Sequence, residues 1–386
     1  MIYKPLAVLL FLLPLTTFGR IALGWSDYDH QAMVAPALKE IADPTGLSTP
    51  CVIRPISSFL EKIRSLKPEI QSQQDFSKFL LINPSVPLNS LSDEEVMGGS
   101  IKPVAILRLH SIDPDDGRDQ NLETDFYRDQ VWFGSGTGVN SQAFRHIEKP
   151  PFNPFHFNDT FGFPLRQLGQ ASRRAQTYYD LALLARSWGE EYWAWRFLAS
   201  SFHYLQDLHQ PFHAAQVSPE IASLGLRSYF LWGKKEKFSI IGTISRLVSN
   251  LHLFFEDYTT TWTKRGRLID PLCGTQTEKF STVQDYAIRL RDRSNRLSSE
   301  TSHLTRLLAK PILLTSYKYP KPEDQAGDFV RSEDKDFQKN LGPLFKIVEK
   351  SFHSAGIAMR SVVTAYQKTP KEQDAEKLLR EIEQLR

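Results

Sequence analysis

Residues 189–213 read GEEYWAWRFLASSFHYLQDLHQPFH, and this stretch decides the fold class of the chain. Its apolar and aromatic residues recur at three- and four-residue spacing, which predicts a helix over residues 189–208 with its aromatic side chains in the core. Similar spacing recurs along much of the chain, at residues 31–42, 57–66, 165–187, 242–257, 278–309 and 343–367. Strand alternation is scarce, with Val104–Leu109 as the best short candidate. The sequence therefore predicts an all-α, mostly helical single domain.

The end of this helix carries an unusual set of polar residues. His203 and Asp207 are four residues apart, so on a helix they share one face and can bind the same ion. Pro211 ends or kinks the helix, which lets His213 turn toward a neighbouring ion. An isolated pair of this kind is more often a solvated helix end, so a second pair is needed to support a metal site.

That second pair lies at His252 and Glu256, in the segment Asn-Leu-His-Leu-Phe-Phe-Glu. The surrounding residues are apolar, so both side chains would face a core in which a lone charge is costly. Imidazoles and carboxylates without a thiolate suit zinc and other borderline divalent metals. The two pairs together predict a metal site between helices.

The N-terminus resembles a secretory signal peptide. Residues 1–24 contain the apolar run Leu6–Leu13, which is too short for a comfortable membrane span, and they end in the small residues that a signal peptidase reads. Cleavage after Gly24 would make Trp25 the first residue of an exported protein, secreted or periplasmic. A free amine and its own carbonyl can chelate a metal, with His30 nearby to complete the site.

In these motifs the chain resembles the zinc-dependent phospholipase C family and the related single-strand-specific zinc nucleases. The resemblance covers roughly residues 25–260, and more loosely the helix around residues 353–366. It rests on the N-terminal Trp, the His that follows it, the His-x3-Asp and Pro-x-His motifs, and the final His-x3-Glu. The matching positions are Trp25, His30, His203, Asp207, Pro211, His213, His252 and Glu256.

Two further ligands, a His and an Asp, are implied by the resemblance. His146 precedes a long helical pattern at a suitable separation from the central motif, whereas His110 would require a large insertion. The Asp is taken as Asp115, with Asp119 kept in reserve, since an Asp after Pro at a turn projects its side chain away from the backbone. Residues 113–119 contain four Asp residues, and for any one of them a solvent-exposed position is favoured over a role as a ligand.

The resemblance implies three zinc ions in one cleft. Asp115, His146, His203 and Asp207 would hold the first ion, and Trp25, His30 and again Asp207 the second. His213, His252 and Glu256 would hold the third. A water activated between two ions would attack phosphorus, with Asp115, Asp207 and Glu256 as the catalytic carboxylates.

The substrate is left open by the residues themselves. Glu256 and the amino-acid sequence of residues 203–215 favour a phospholipase C that acts on glycerophospholipids at a membrane surface. The short spacing from Trp25 to His30 favours a nuclease that acts on single-stranded nucleic acid. A different class of protein, a non-catalytic exported binding protein stabilised by zinc, is the third reading. The phospholipase is the leading expectation.

Composition bounds the remaining choices. Removal of residues 1–24 leaves 362 of the 386 residues, enough for one large core, and lowers the formal net charge from +3 to +1. Such a charge gives no electrostatic attraction to a long polyanion.

Residues 25–367 form the predicted phosphodiesterase domain, and residues 368–386 form a charged, exposed helical tail. Cys51 and Cys273 either pair or remain free thiols.

Two further segments carry ambiguous patterns. Gly134–Gly138 is glycine-rich but lacks the lysine and the strand-to-helix context of a phosphate loop, so a flexible loop is expected. Ser228–Gly242 mixes aromatic and basic residues, as membrane-contacting segments do, and is equally compatible with an insertion packed on the surface.

Overall fold

The computed structural model describes residues 25–119, 145–149, 168–214, 251–309 and 335–385. These residues are mostly helical, which confirms the predicted all-α class. The helices are α1 (Asp27–Leu38), α2 (Thr45–Ser48), α3 (Ile56–Leu66), α4 (Gln73–Phe79), α5 (Pro103–His110), α6 (Ala171–Ser187), α7 (Glu191–Asp207), α8 (Pro211–Ala214), α9 (251–264), α10 (Val283–Leu308), α11 (Lys335–Lys368) and α12 (Ala375–Leu385). Two short antiparallel pairs join β1 (Cys51–Val52) to β2 (Ser100–Ile101) and β3 (Glu148–Lys149) to β4 (Leu168–Gly169).

Helices α6 and α7 form an antiparallel hairpin at the centre of the fold. The turn between them is closed by Gly189, whose φ of 73° places it in the left-handed region that favours glycine. Its amide donates to the Arg186 carbonyl at 3.0 Å, and the Glu190 amide donates to the Ala185 carbonyl at 2.9 Å. These two bonds satisfy carbonyls at the end of α6 and let the chain reverse directly into α7.

Helix α7 is buried along nearly its whole length. Every residue from Tyr192 to Asp207 is buried, against α6 on one side and α1, α5 and α11 around the others. Helices that are buried on all faces are typical of the centre of a large helical domain. The aromatic residues of α7 lie in the core as predicted, and the indole nitrogen of Trp193 donates to the Arg54 carbonyl at 3.0 Å. The polar residues at the end of α7 are therefore held inside the protein.

The strand predicted at Val104–Leu109 is wrong, because this segment forms helix α5. Pro103 occupies the first helical position, where its fixed φ favours the helix and its missing N–H is not needed. The buried positions include Pro103, Ile106, Leu107 and His110, which are spaced as on one face of a helix. An apolar run this short fits the periodicity of a helix as well as that of a strand, and packing against the surrounding helices decides between the two structures.

Two predicted helix boundaries also shift. Helix α1 begins at Asp27 because the Ser26 hydroxyl accepts a hydrogen bond from the Asp29 amide at 3.2 Å and caps the helix. Helix α6 begins at Ala171, because strand β4 occupies the two residues that the predicted helix would have included at 168 and 169.

The C-terminal tail is helical over Ala375–Leu385, but the helix does not continue from α11 and its apolar side is not exposed. Leu378, Leu379 and Ile382 of α12 are buried against α6, while Lys67, the residue after α3, forms an ion pair with Glu383. The charged residues of this helix lie on its outer face. Its three buried apolar residues recur at helical spacing and form a stripe on the opposite face. The tail is therefore packed on the same core as the rest of the chain.

Several other expectations concern single features. Cys51 and Cys273 are both free thiols. No helix within the described ranges is long and apolar enough to cross a membrane. The predicted signal peptide at residues 1–24, the glycine-rich segment Gly134–Gly138 and the aromatic and basic segment Ser228–Gly242 lie outside the described residues.

Replacement of Ile382 by alanine should lower the free energy of unfolding by about 2–4 kcal/mol, because it removes a fully buried side chain from the contact between α12 and α6. Chemical denaturation would measure this change. As a control, Lys377→Ala should change the stability by less than about 0.5 kcal/mol, since Lys377 forms only an exposed pair with Glu381. Equal effects of the two variants would show that the tail does not contribute to the core.

Candidate metal centre

The eight side chains predicted as metal ligands lie together in three buried groups. In each group, one ligand atom from every residue lies within 4.8 Å of the others. The groups are His30, His203 and Asp207; Asp115, His146 and His203; and His213, His252 and Glu256. The fold thus brings together residues that are up to 226 positions apart, and the first two groups share His203.

Asp207 lies at the junction of the first two groups. Its Oδ1 atom is 3.4 Å from His30 Nε2, while its Oδ2 atom is 2.9 Å from His146 Nδ1 and 3.3 Å from His203 Nε2. The two oxygens of one carboxylate therefore face different imidazoles. This arrangement suits a carboxylate that bridges two neighbouring cations.

Two imidazoles are oriented by backbone carbonyls. His203 Nδ1 lies 2.8 Å from the Ser111 carbonyl oxygen, and His213 Nδ1 lies 2.7 Å from the His146 carbonyl oxygen. A carbonyl oxygen only accepts, so each Nδ1 must carry the hydrogen, and in the neutral ring Nε2 keeps its lone pair. Metal-binding histidines are commonly fixed by such hydrogen bonds.

The third group forms where the chain leaves α7 and meets α9. Helix α7 ends at Asp207 and α8 begins at Pro211, as the sequence predicts, and this break turns His213 toward α9. His213 Nε2 lies 3.0 Å from His252 Nε2, which in turn lies 2.8 Å from Glu256 Oε1. Two nitrogens with lone pairs at this distance repel each other unless a proton or a cation lies between them.

Asp115 is carried by a tight turn at Pro114–Arg118, directly after α5. Gly117 has a φ of 82° inside this turn, so the backbone there favours glycine. The turn is fixed at its start by Asp113, whose carboxylate accepts from Arg196 Nε at 3.0 Å and lies 2.7 Å from Arg118 Nη2. This buried network positions the Asp115 carboxylate in the site.

The structure separates Asp115 from the reserve candidate, Asp119. Asp119 Oδ2 accepts from the Tyr204 hydroxyl at 2.5 Å, and Oδ1 lies 3.7 Å from Arg145 and 3.6 Å from Arg174. Burial opposes ionisation of Asp119, but the two guanidinium groups outweigh it and hold the pKa of this carboxyl well below its usual range. Asp119 therefore has its own permanent counter-charges.

Asp115 faces three imidazoles, one of which, that of His146, also lies 3.4 Å from Asp119 Oδ2 through its Nε2 atom. The oxygens of Asp115 lie 3.5 Å from His146 Nε2, 3.7 Å from His203 Nε2 and 4.0 Å from His30 Nε2. Burial, together with the nearby Asp207 carboxylate, raises the pKa of Asp115 to about 7. The choice of Asp115 is supported by its place in a group of possible ligands with His146 and His203, whereas Asp119 is neutralised by two arginines.

Trp25 is anchored next to the site. Its side chain is fully buried, and its indole nitrogen donates to the Gln206 carbonyl at 2.7 Å. The ring also contacts Phe255 of α9 and Phe352 of α11, at centroid distances of 5.8 and 5.3 Å. The residue predicted to begin the mature protein is therefore held where α7, α9 and α11 meet. Its hydrogen-bond partner, Gln206, directly precedes Asp207 in the sequence.

The distances between these ligand atoms fit a small divalent cation. Two ligands bonded to tetrahedral zinc at about 2.0–2.1 Å lie roughly 3.3 Å apart. The contacts around Asp207 and in the third group, between 2.8 and 3.4 Å, are close to that value.

The charge of the site also favours a cation. Asp115, Asp207 and Glu256 are all at most 3% exposed, and burial raises the pKa of Glu256 well above its ordinary value. Burial lowers the pKa of His203 well below its ordinary value, so this imidazole is neutral. A cluster of carboxylates with neutral imidazoles inside a protein requires positive charge, which protons supply in the metal-free state and divalent ions supply otherwise.

Two other histidines lie outside the three groups. His110 is held between Glu95 at 3.0 Å and Asp113 at 3.2 Å, in the network that supports the Asp115 turn. His209 bonds to the Leu205 carbonyl at 2.7 Å, and burial lowers its pKa to about 4. Neither residue is found in a ligand group among the described residues, which for His110 agrees with its unsuitable separation from the central motif.

Sequence reasoning missed the residues that support the ligands. Gln206, Tyr204, Arg145 and Arg174 carry no motif that marks them, and the carbonyl of Ser111 has no side-chain signature at all. Only the proximity of Tyr204 and Gln206 to the central motif could have indicated a role.

No protein-family model matches this chain, and no curated protein matches its sequence. The resemblance described above rests on the ligand motifs.

We expect Asp115→Asn and Asp119→Asn to have different effects. Asp115→Asn should remove one bound metal ion and should destabilise the metal-free protein less than Asp119→Asn does, because burial already opposes the ionisation of Asp115. Asp119→Asn should lower the stability by roughly 3–5 kcal/mol, because it leaves Arg145 and Arg174 buried beside a neutral group, and it should preserve the metal content. Elemental analysis and denaturant titration would measure the two effects. The reverse pattern would assign the ligand to Asp119.

Metal removal should make the stability of the protein depend on pH. Burial lowers the pKa of His146, but Asp115 and the other nearby carboxylates outweigh it and raise the pKa to about 10. Its imidazolium stabilises the metal-free fold fully below its unfolded pKa of about 6.5, and this contribution is lost as the pH rises toward 10. The melting temperature of chelator-treated protein should therefore fall between roughly pH 7 and 9.5, whereas that of zinc-loaded protein should stay nearly constant.

His146→Gln is the control for this experiment, since it should flatten the pH dependence of the metal-free protein. Identical pH dependence with and without zinc would contradict the assignment of these residues to a metal centre.

Proposed function

We propose that this chain is an exported zinc-dependent phosphodiester hydrolase, and in particular a phospholipase C that acts on glycerophospholipids. The observation that carries the proposal is the convergence of all eight predicted side-chain ligands in three adjoining buried groups. Composed of imidazoles and carboxylates, they suit zinc better than calcium or magnesium, which prefer oxygen ligands alone. Three groups support the expectation of three ions.

The reaction adds water across a phosphodiester bond. The P–O bond to the glycerol oxygen breaks, a new P–O bond to water forms, and the products are diacylglycerol and a phosphorylated head group. When bound, zinc supplies positive charge that lowers the pKa of water and stabilises negative charge on phosphate oxygens. The remaining requirements, which are orientation and proton transfer, fall on the residues of this chain.

Asp207 and Asp115 have distinct duties in this proposal. Asp207 connects the first two ligand groups, because its Oδ1 atom faces His30 and its Oδ2 atom faces His203. Asp115 lies beside the imidazoles of both groups, where a carboxylate oxygen can accept a proton from the attacking water. Its buried position keeps competing water from that oxygen.

Glu256 serves the third group. It lies on α9 one helical turn from His252, and its Oε1 also accepts from Gln210 at 3.3 Å. This orients the carboxylate toward the imidazole pair at the end of α7, where the leaving oxygen of the substrate would be stabilised.

The single-strand-specific nuclease is the second candidate, and the observation in its favour is the short spacing between Trp25 and His30. Both activities use the same ligand set. The difference lies in whether an acyl chain or an unpaired base occupies the mouth of the site.

Export and processing form part of the proposal. Cleavage after Gly24 would release the amine of Trp25, which could then join its own carbonyl as a metal ligand. The buried indole of Trp25 supports this role, since it anchors the new terminus beside α7.

The test is to offer the mature protein, beginning at Trp25, phosphatidylcholine vesicles and single-stranded RNA or DNA in parallel, with its zinc content measured. We expect phosphocholine and diacylglycerol from the vesicles and a chelator-sensitive rate. Nucleotide products instead would favour the nuclease. Bound zinc without hydrolysis of either substrate would favour a non-catalytic binding protein.

A matched control examines the N-terminal ligand. A protein with one additional residue before Trp25 should lose one zinc ion and most of its activity, because the α-amine is then an amide. Unchanged zinc content and rate would remove Trp25 from the ligand set.

A further inference from the structure

Gln206 contacts the N-terminal segment through both its side chain and its backbone, although it is not itself a predicted ligand. Its Oε1 lies 2.7 Å from His30 Nδ1, and its Nε2 donates to the His30 carbonyl at 3.2 Å and to Met359 Sδ at 3.3 Å. Its own carbonyl accepts the indole hydrogen of Trp25. One residue of α7 thus binds the side chain and the backbone of His30 as well as Trp25.

The orientation of the Gln206 amide is determined by its surroundings. The His30 carbonyl is an acceptor only, so the amide nitrogen of Gln206 must face it. A flipped amide would place Oε1 against that carbonyl oxygen, and the two would repel each other. The amide oxygen therefore faces His30 Nδ1.

This orientation in turn determines the tautomer of His30. Because an amide oxygen accepts and does not donate, Nδ1 of His30 must carry a hydrogen. The lone pair of the neutral ring is then on Nε2, which points at Asp207 Oδ1 from 3.4 Å. A lone pair and a carboxylate oxygen that face each other in a fully buried site are favourable only with a cation, or a proton, between them.

We propose that Gln206 is the positioning residue of the N-terminal metal subsite, which sets His30 in the Nδ1–H tautomer and aims its Nε2 at a divalent cation shared with Asp207. The inference rests on the metal centre of the proposed function but not on the identity of the substrate. Gln206 acts through His30. Among the described residues, the hydrogen bonds of its side chain to a predicted ligand are those to the imidazole and the carbonyl of His30.

The informative variant is Gln206→Met, which preserves side-chain length and removes both polar contacts with His30. Without the amide oxygen, the ring is free to place its hydrogen on Nε2 and to rotate. Loss of such a supporting hydrogen bond typically weakens metal affinity about 10–100-fold. We expect this loss for one zinc ion of the site, with the others unaffected.

Ser201→Ala is the matched control. Ser201 is also a buried polar residue of α7, but its hydroxyl donates to the Ala175 carbonyl at 2.7 Å and faces α6. Its removal should leave all zinc affinities unchanged.

Two measurements test the proposal. The first is a competition titration of zinc against a chelator for the wild-type protein and both variants. The second is the ¹⁵N chemical shifts of the histidine rings in the metal-free wild type, recorded at a pH high enough for the His30 ring to be neutral, with His30 assigned from the signals that His30→Asn removes. The expected result is an Nδ1–H tautomer for His30, and a zinc affinity that falls in Gln206→Met alone.

An Nε2–H tautomer in the wild type, or zinc binding by Gln206→Met equal to that of the wild type, would overturn the proposal. If Gln206→Met does not fold, the tautomer of His30 in the wild type decides by itself. Zinc binding that depends on Gln206, without hydrolysis of any phosphodiester, would support this role of Gln206 and at the same time count against the proposed function.

Discussion

The structure depends on one buried carboxylate, that of Asp207. It is fully buried at the end of a helix with no solvent-facing side, where an uncompensated charge costs several kcal/mol. Its compensation comes from imidazoles on other segments, including His30 at 3.4 Å and His146 at 2.9 Å, as well as His203 one turn before it. Because these partners come from distant parts of the chain, a single charge specifies how α1, α7 and the segment before β3 meet.

The buried carboxylates around the site fall into two kinds, which differ in their partners. Asp113 and Asp119 are neutralised by arginines, which keep their protons at any physiological pH, so these two carboxylates hold the architecture in place. Asp115 and Asp207 each lie beside several imidazoles, which can exchange a proton for a metal ion. Asp113 and Asp119 also have one imidazole partner each, but their arginines supply a permanent positive charge.

The failures of prediction have a common cause. The sequence favours a strand at residues 104–109 and an exposed C-terminal tail, because both segments are short and their local patterns fit more than one structure. Helix α5 forms because α7 and α1 offer it a surface at helical spacing, and Ile382 is buried because α6 presents an apolar face to it. Such surfaces are contributed by distant residues, and no window of sequence contains them.

The sequence by itself determined the helical class and the identity of the candidate ligands. Pairs such as His203 and Asp207 need only one helical turn to converge, so their spacing is sufficient. The difference between Asp115 and Asp119 appears only in the tertiary structure, since the arginines that neutralise Asp119 come from residues 145 and 174. The tertiary structure also revealed Gln206, whose role depends on a backbone carbonyl 176 positions away. Helical periodicity is a local property that can be recognised in the sequence. Hydrogen bonds and charge compensation between distant segments form only when the chain folds.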